Sequence, residues 1–400
     1  MSVTAKKSLF YDFVSRYEQA DFDTYMANAV EDEDYFSWHG YCLPNVYGDE
    51  EQEYNAVRNG CALFDATPVK KYRIRGANAG AFMDYVFTRK MSALPVPRAT
   101  YAIWCNEDGM LNDDALLYKL AEDDYLLMVA EVDHDVHFAN CKEKVGGDIQ
   151  ITEETPSLAG FAVQGPKSCA VLKSFGFEGI ENMKPFEVIN YDLKGGNVMV
   201  SRVGFTADLG YEIWFKPDLA KTIEQAFIEA EKAVDIKIAG YGLTAIQLCR
   251  MEGGLVVPGW DTLQTFEDPE FERSPLELAM GWNVGWDRED DFVGKAALLK
   301  EKAQGSRFKM KGFIIKDECE LEDGAELFAT INGEDLQIGT LPSVSWSFSA
   351  KHWLGLSSLR SAYAEVAEGF VRINGEKVAV SICSLPFVNF ERRTQVPAPL

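Results

Sequence analysis

The sequence predicts an α+β protein in three parts, and three observations predict it. At 400 residues the chain is longer than one ordinary core, since domains commonly run to about 100–200 residues. Strand-like and helix-like stretches alternate, then repeat in kind, which marks two α+β units of similar build. From Phe308 onward helical periodicity gives way to short alternating runs, the mark of a separate all-β domain. The predicted divisions are 1–155 for the first α+β lobe, 156–305 for the second and 306–400 for the β domain.

Each element has a local reason. Phe10, Tyr11, Phe13, Tyr17, Phe22 and Tyr25 recur at helical intervals among acids and predict one or two amphipathic helices between Leu9 and Val30. Glu50 to Arg58 reads as a helix closed by Gly60, and Cys61 to Phe64 as a short buried strand. Lys70 to Ile74 alternates as an exposed strand does, and Ala77 to Val86 reads as a helix ahead of the Pro95-Val96-Pro97 loop. Strands follow at Thr100–Trp104 and Tyr125–Ala130, then a helix from His134 to Lys144. In the second unit Phe161 to Lys167 is a strand running into a helix whose first turn carries Pro166, where the missing N–H costs nothing. Val198–Arg202 and Tyr211–Phe215 flank a Gly204–Gly210 loop, and Leu219–Ala233 is an amphipathic helix.

The stretch Cys105 to Tyr118 carries the most chemistry. Asn106, Asp108 and Gly109 signal a turn, and Asp113-Asp114 opens the apolar run that follows, so the segment reads as a β-hairpin. Side chains alternate along a strand, so one carboxylate should face inward and the other solvent. The plain alternative is that both acids serve the turn.

Composition excludes some partners. A formal charge of −24 repels phosphate backbones and anionic membranes, which argues against nucleic acid. No apolar run approaches the roughly 18 residues of a membrane span. The eight cysteines are scattered, with no Cys-x-x-Cys pair and no signal peptide, which predicts reduced thiols and a cytoplasmic location. His134 and His137 have no further His or Cys at ligand spacing, so no metal site is expected and a solvated helix start is the reading there. Asp135-Val136-His137 begins like a corrinoid-binding motif, but Asn140 stands where that motif requires glycine.

Several segments, in order, resemble the folate-dependent family of the glycine-cleavage T-protein, which includes dimethylsulfoniopropionate demethylase and aromatic O-demethylases. They are Ala56-Val57-Arg58 to Phe64-Asp65; Tyr101 with Cys105 to Asp114 and Tyr118; Gln164-Gly165-Pro166-Lys167; and Ser201 to Thr206 with Gly210-Tyr211-Glu212. Gly242-Leu243, Cys249-Arg250-Met251-Glu252 and Asp291 to Lys295 complete the set. The resemblance implies three domains around a central opening that binds tetrahydrofolate: two ferredoxin-like α+β domains, partly discontinuous, and a C-terminal β-barrel-like one. It also implies a one-carbon transfer to N5 of tetrahydrofolate. Asp114 matches the family's functional aspartate, the residue expected to orient N5 and balance its charge. Glu212 stands at the pterin-binding position, where a carboxylate accepts paired N–H groups. Tyr101, Tyr118 and Phe205 are the other expected folate contacts, with core packing as the alternative for the two tyrosines.

The chain departs from the T-protein pattern where the one-carbon donor is expected. Asp65-Ala66-Thr67-Pro68-Val69 replaces Asp-Val-Ser-His-Met, Phe205 replaces a tyrosine, Ile246-Gln247 replaces Arg-Asp, and Ala130-Glu131-Val132-Asp133 replaces Asn-Ala-Ala-Asn. A lipoyl carrier protein, itself acidic in the family, would meet a like charge here. These changes point to a small methyl donor, demethylated to give 5-methyltetrahydrofolate, with Trp104, Glu131 and Trp260 as candidate donor contacts. Core packing is the alternative for both tryptophans. Two other functions stay open: the aminomethyltransferase of glycine cleavage, and a non-catalytic folate-binding protein. The Lys-Gly-Cys-Tyr-x-Gly-Gln-Glu motif of the latter is absent.

Overall fold

A computed structural model describes residues 6–397 except 19–21, 33–34, 130–133, 259, 262–271 and 318, with backbone alone for 28–32. The chain opens with two helices, α1 (Tyr11–Val14) and α2 (Phe22–Asp32), and a hairpin, β1 (Tyr35–Trp38) and β2 (Tyr41–Pro44). Helix α3 (Glu50–Asn59) follows; Asp49 caps it by accepting from Gln52 N at 2.8 Å, which satisfies one of the first-turn donors. Strand β3 (Ala62–Asp65) is buried at every position, as an interior strand must be.

Next come β4 (Lys70–Arg75), α4 (Ala79–Val86), β5 (Arg98–Cys105), β6 (Leu111–Ala121), β7 (Asp124–Val129), α5 (Asp135–Val145) and β8 (Gln150–Glu153). The strands form a five-stranded antiparallel sheet in the order β5-β6-β7-β4-β8. Its outer face packs on α4 and α5 through Ile74, Phe82, Leu117, Leu127 and Phe138. Strand β4 was expected to be exposed, yet only Arg75 is exposed and Lys71 is completely buried, because the strand lies inside the sheet between β7 and β8.

The second unit runs β9 (Ala159–Gln164), α6 (Ser168–Ser174), β10 (Val188–Leu193), β11 (Gly196–Ser201), β12 (Gly210–Phe215), α7 (Ala220–Val234), β13 (Ala239–Gly240) and α8 (Leu243–Glu252). Its six-stranded sheet has the order β10-β11-β12-β9-β3-β13. Strand β3 therefore crosses over, antiparallel to β9 and parallel to β13. The backbone does not pair residues 1–155 as one lobe: β3 joins the second sheet, and β1 and β2 form a two-stranded sheet of their own. The outer face of that sheet is covered by α1, α6 and α7, with Phe10, Phe161, Phe215 and Phe227 in its core.

The inner faces of the two sheets meet. Ala99, Tyr118, Leu126 and Met128 from the first pack with Phe64, Ala162, Met199 and Trp214 from the second. This shared core is the floor of the candidate site.

Helix α9 (Lys295–Gln304) leads to β14 (Phe308–Ile315), β15 (Ala325–Ile331), β16 (Glu334–Leu341), β17 (Ser343–Ser347), β18 (His352–Arg360), β19 (Glu368–Ile373) and β20 (Glu376–Cys383). They form an antiparallel sheet in the order β16-β15-β19-β20-β14-β18-β17, and β16 also lies against β18, so the sheet curls back on itself. Phe313, Leu327 and Val380 fill its interior. Met310 and Leu356 pack instead with Ile103, Cys105, Met251 and Leu278, which fastens the β domain to the hairpin. Among the described residues no helix is long and apolar enough to cross a membrane.

Candidate functional site

The hairpin register decides which acid faces the shared core. Ile103 lies opposite Asp114 and Trp104 opposite Asp113. Asp114, Leu116 and Tyr118 therefore share the inner face of β6, while Asp113, Ala115 and Leu117 face the helices. The turn itself is tied by Asn106, whose Oδ1 accepts from Asp108 N and Met110 N at 3.0 Å each.

Asp114 is half-buried, and the Tyr101 hydroxyl donates to its Oδ2 at 2.5 Å. Burial, then the Asp114 charge, hold the Tyr101 phenol well above its ordinary value, so it stays a donor. The Tyr101 ring stacks on Trp282 at 6.0 Å and 25°, and that indole is 67% exposed. Asp113 is buried on the other face, where its Oδ2 lies 2.7 Å from His134 Nε2 and its Oδ1 accepts from Asp114 N at 2.8 Å. The pair of acids thus divides between two apolar faces rather than between core and solvent. His134 is buried, not solvated, and Trp104 stands edge-on to it at 4.7 Å in the helix-facing core. Trp104 is a core residue on the wrong face to meet a donor at Asp114.

The second acid comes from the opposite sheet. Glu212 on β12 pairs with Ser201 on β11, and its Oε2 accepts from Tyr118 Oη and from Trp214 Nε1, both at 3.2 Å. Tyr118 Oη also lies 2.9 Å from Ser201 Oγ, so one phenol on the first sheet bridges two residues of the second. Burial pushes the Glu212 carboxyl up to about 7, opposed by those two donors and by the charge of Lys71. Lys71 is pushed down to about 7 by burial, opposed by Asp65, Glu212 and Glu153. Tyr101 and Asp114 make one end of the shared wall; Tyr118 and Glu212 make the other, four residues or about 13 Å along β6.

The remaining candidates are dispersed. Phe205 is half-buried in the loop between β11 and β12. That loop is set by close approach: a Cβ on Gly204 or Gly210 would sit 2.1 Å from Gln164 Oε1, the atom that accepts from Thr206 Oγ1. Trp260 is half-buried, edge-on to Phe36 at 6.1 Å, with the Arg250 guanidinium 5.9 Å from its ring, and its carbonyl accepts from Ser343 Oγ; Phe36 in turn packs against the shared core. Glu131 lies outside the described residues. Ile246 packs against the shared core and Gln247 accepts from Arg250 Nε at 2.9 Å. Sequence reasoning missed Lys71, Ser201, Trp214 and Trp282. Among the described residues no cluster of three or more His, Cys, Asp or Glu side chains could hold a metal ion.

Two sheets with helices on their outer faces, packed inner face to inner face, and a curled all-β sheet fastened at one end define a mixed α+β fold. A model of the GCVT N-terminal domain matches residues 28–288. An aminomethyltransferase of Halothermothrix orenii is 30% identical over 352 residues, covering 88% of this chain and 95% of the relative. One of Bacillus subtilis is 30% identical over 368 residues, covering 92% and 97%. The crystal structure of glycine cleavage system aminomethyltransferase T from Bartonella henselae superposes with a TM-score of 0.76 at 23% identity, over 93% of this chain and 98% of that one. The chain belongs to the glycine-cleavage T-protein family and has its fold.

Proposed function

We propose that this chain transfers a one-carbon unit to tetrahydrofolate bound between its two α+β sheets. The observation that carries the reading is the common wall: Asp114 and Glu212 come from different sheets, yet both belong to the inner face of the molecule, joined through Tyr118. The residues fit a pterin. Among the described residues no hydrogen bond reaches Glu212 Oε1, which leaves an acceptor for a ring N–H, and the Tyr118 hydroxyl can pass from Glu212 to Ser201 as the second oxygen is taken up.

Bound tetrahydrofolate supplies N5 as the carbon acceptor. Asp114 sets a negative charge beside that nitrogen, where positive charge grows during transfer, and it stabilises the transition state more than the ground state. Tyr101 fixes the carboxylate's orientation through its 2.5 Å bond. Leu116, on the same face of β6, packs against the apolar shared core, which lowers the dielectric beside the half-buried carboxylate. Holding two reactants in one cleft removes the entropy of their encounter.

The relatives' names make an aminomethyl group the first donor to test. A second reading, methyl transfer from a small S-, N- or O-methylated compound, is favoured by Pro68 in place of the T-protein histidine, by Ile246-Gln247 in place of Arg-Asp, and by the net charge of −24. The protein with tetrahydrofolate is offered either an aminomethyl-loaded lipoyl carrier or a panel of methyl compounds, and products are read by mass spectrometry. Methylenetetrahydrofolate with ammonia establishes the first; 5-methyltetrahydrofolate establishes the second. No folate product from folded protein with either donor class retires the proposal.

A further inference from the structure

Lys71 is a buried charge to which the transfer chemistry gives no role. Its Nζ donates to Thr67 O at 2.9 Å and Val69 O at 2.8 Å, and it sits 4.9 Å from the centre of the Trp214 ring. Among the described residues no carboxylate comes within ion-pair distance of it. A fully buried ammonium without a paired anion is costly to keep, and this one is held against an indole rather than allowed to reach solvent.

The geometry gives the charge a path. Strand alternation places Lys71 opposite Met128 on the inner face, with Trp214 across from it on the second sheet. A cation on an indole face draws electron density from the ring, which strengthens its N–H as a donor. The Trp214 N–H donates to Glu212 Oε2 at 3.2 Å. Around Lys71 the charged neighbours are Asp65, Glu153 and Glu212; Glu212 faces the charge of Lys71 and the neutral hydroxyls of Tyr118 and Tyr241.

We propose that Lys71 is a positioning residue that acts through the Trp214 indole to hold Glu212 as a carboxylate, and so sets the pH window in which the pterin is bound. The inference rests on the folate reading above. Glu212 and Lys71 are both brought to about 7, so near neutrality each depends on the other for its charge. Without the cation, burial of Glu212 is opposed by the Trp214 and Tyr118 donors alone, and its proton is held to higher pH.

The test compares full-length wild type, Lys71→Met and Glu212→Gln. In isotope-labelled protein the Glu212 carboxyl is the resonance that Glu212→Gln removes, and in Lys71→Met it should titrate at least about one pH unit higher. The Kd for tetrahydrofolate should rise at least about fivefold near pH 7 and converge on wild type near pH 9, where the proton leaves without help. A folded Lys71→Met whose Glu212 midpoint stays put overturns the proposal. So does a Kd loss of equal size at every pH, which is what a packing defect gives. If Lys71→Met does not fold, reciprocity supplies the second reading: in Glu212→Gln the Lys71 ammonium should titrate lower than in wild type, and an unmoved midpoint overturns the proposal. A Glu212 midpoint that moves while wild type binds no tetrahydrofolate keeps the Lys71–Glu212 linkage and retires the folate reading instead.

Discussion

At the scale of the residue, Asp114 is asked to supply charge, and the isosteric amide isolates that role. Asp114→Asn keeps the size and an acceptor for the Tyr101 hydroxyl, so tetrahydrofolate binding should stay within about threefold of wild type. Turnover should fall at least about tenfold, since about 1.4 kcal/mol of lost transition-state stabilisation is enough for that. Single-turnover rates and equilibrium binding check the split, and a fully active variant removes Asp114 from the mechanism. Part of this arrangement was legible beforehand. Tyr118 was a candidate from the sequence, and it lies in the shared inner core with Asp114 on the same face of β6, while the two-residue period puts Asp113 elsewhere. For Trp104 the structure selects the core-packing alternative, and the signal was present: it is three residues from Tyr101 on one strand, an odd step, so the two cannot share a face. Lys71 was not legible, because a lysine in a strand of Lys and Arg reads as solvated unless the tryptophan that covers it, Trp214 on another sheet, is already in place.

At the scale of the element, β6 is a lever with helix α5 at one side and the pocket at the other. His134, the residue just before α5, holds Asp113, and Asp113 holds the backbone N–H of Asp114. Removing the imidazole leaves a buried carboxylate short of a partner, a cost of about 1–3 kcal/mol. His134→Phe should therefore lower the melting temperature and reduce kcat with KM little changed, because the Asp114 backbone loses its tether while the pocket wall stays in place. His134→Gln, which can still donate to Asp113, should recover part of kcat. A kcat equal to wild type in both variants removes the tether from the account. Elements of strong local period, such as α3, α7 and the hairpin, were readable from the chain. The destination of β3 was not: four buried residues announce an interior strand but not which sheet it joins, and its pairing with β9 spans about a hundred residues of sequence.

At the scale of the whole molecule, one buried polar node ties several parts together. Arg58 on α3 donates to Glu252 on α8 at 2.6 Å and to Asp208 at 3.1 Å; Arg392, near the C-terminus, donates to Asp208, and Ser347 of the β domain to Glu252. The parts around the pocket are thus tied in place, and what varies at encounter is the field outside. That field is set by 63 acidic against 39 basic residues, and it separates the donor readings by a measurement that needs no mutation. Between about 10 mM and 150 mM salt the screening length falls from about 30 Å to about 8 Å. An acidic carrier protein is repelled at low salt, so its kcat/KM should rise several-fold across that range. A cationic donor such as a sulfonium or quaternary ammonium is attracted, and its kcat/KM should fall. A neutral methoxy compound should show a flat profile. A carrier-dependent rate that does not rise with salt would remove charge as an argument against the aminomethyl reading, and the choice of donor would then rest on Pro68, Ile246 and Gln247 alone.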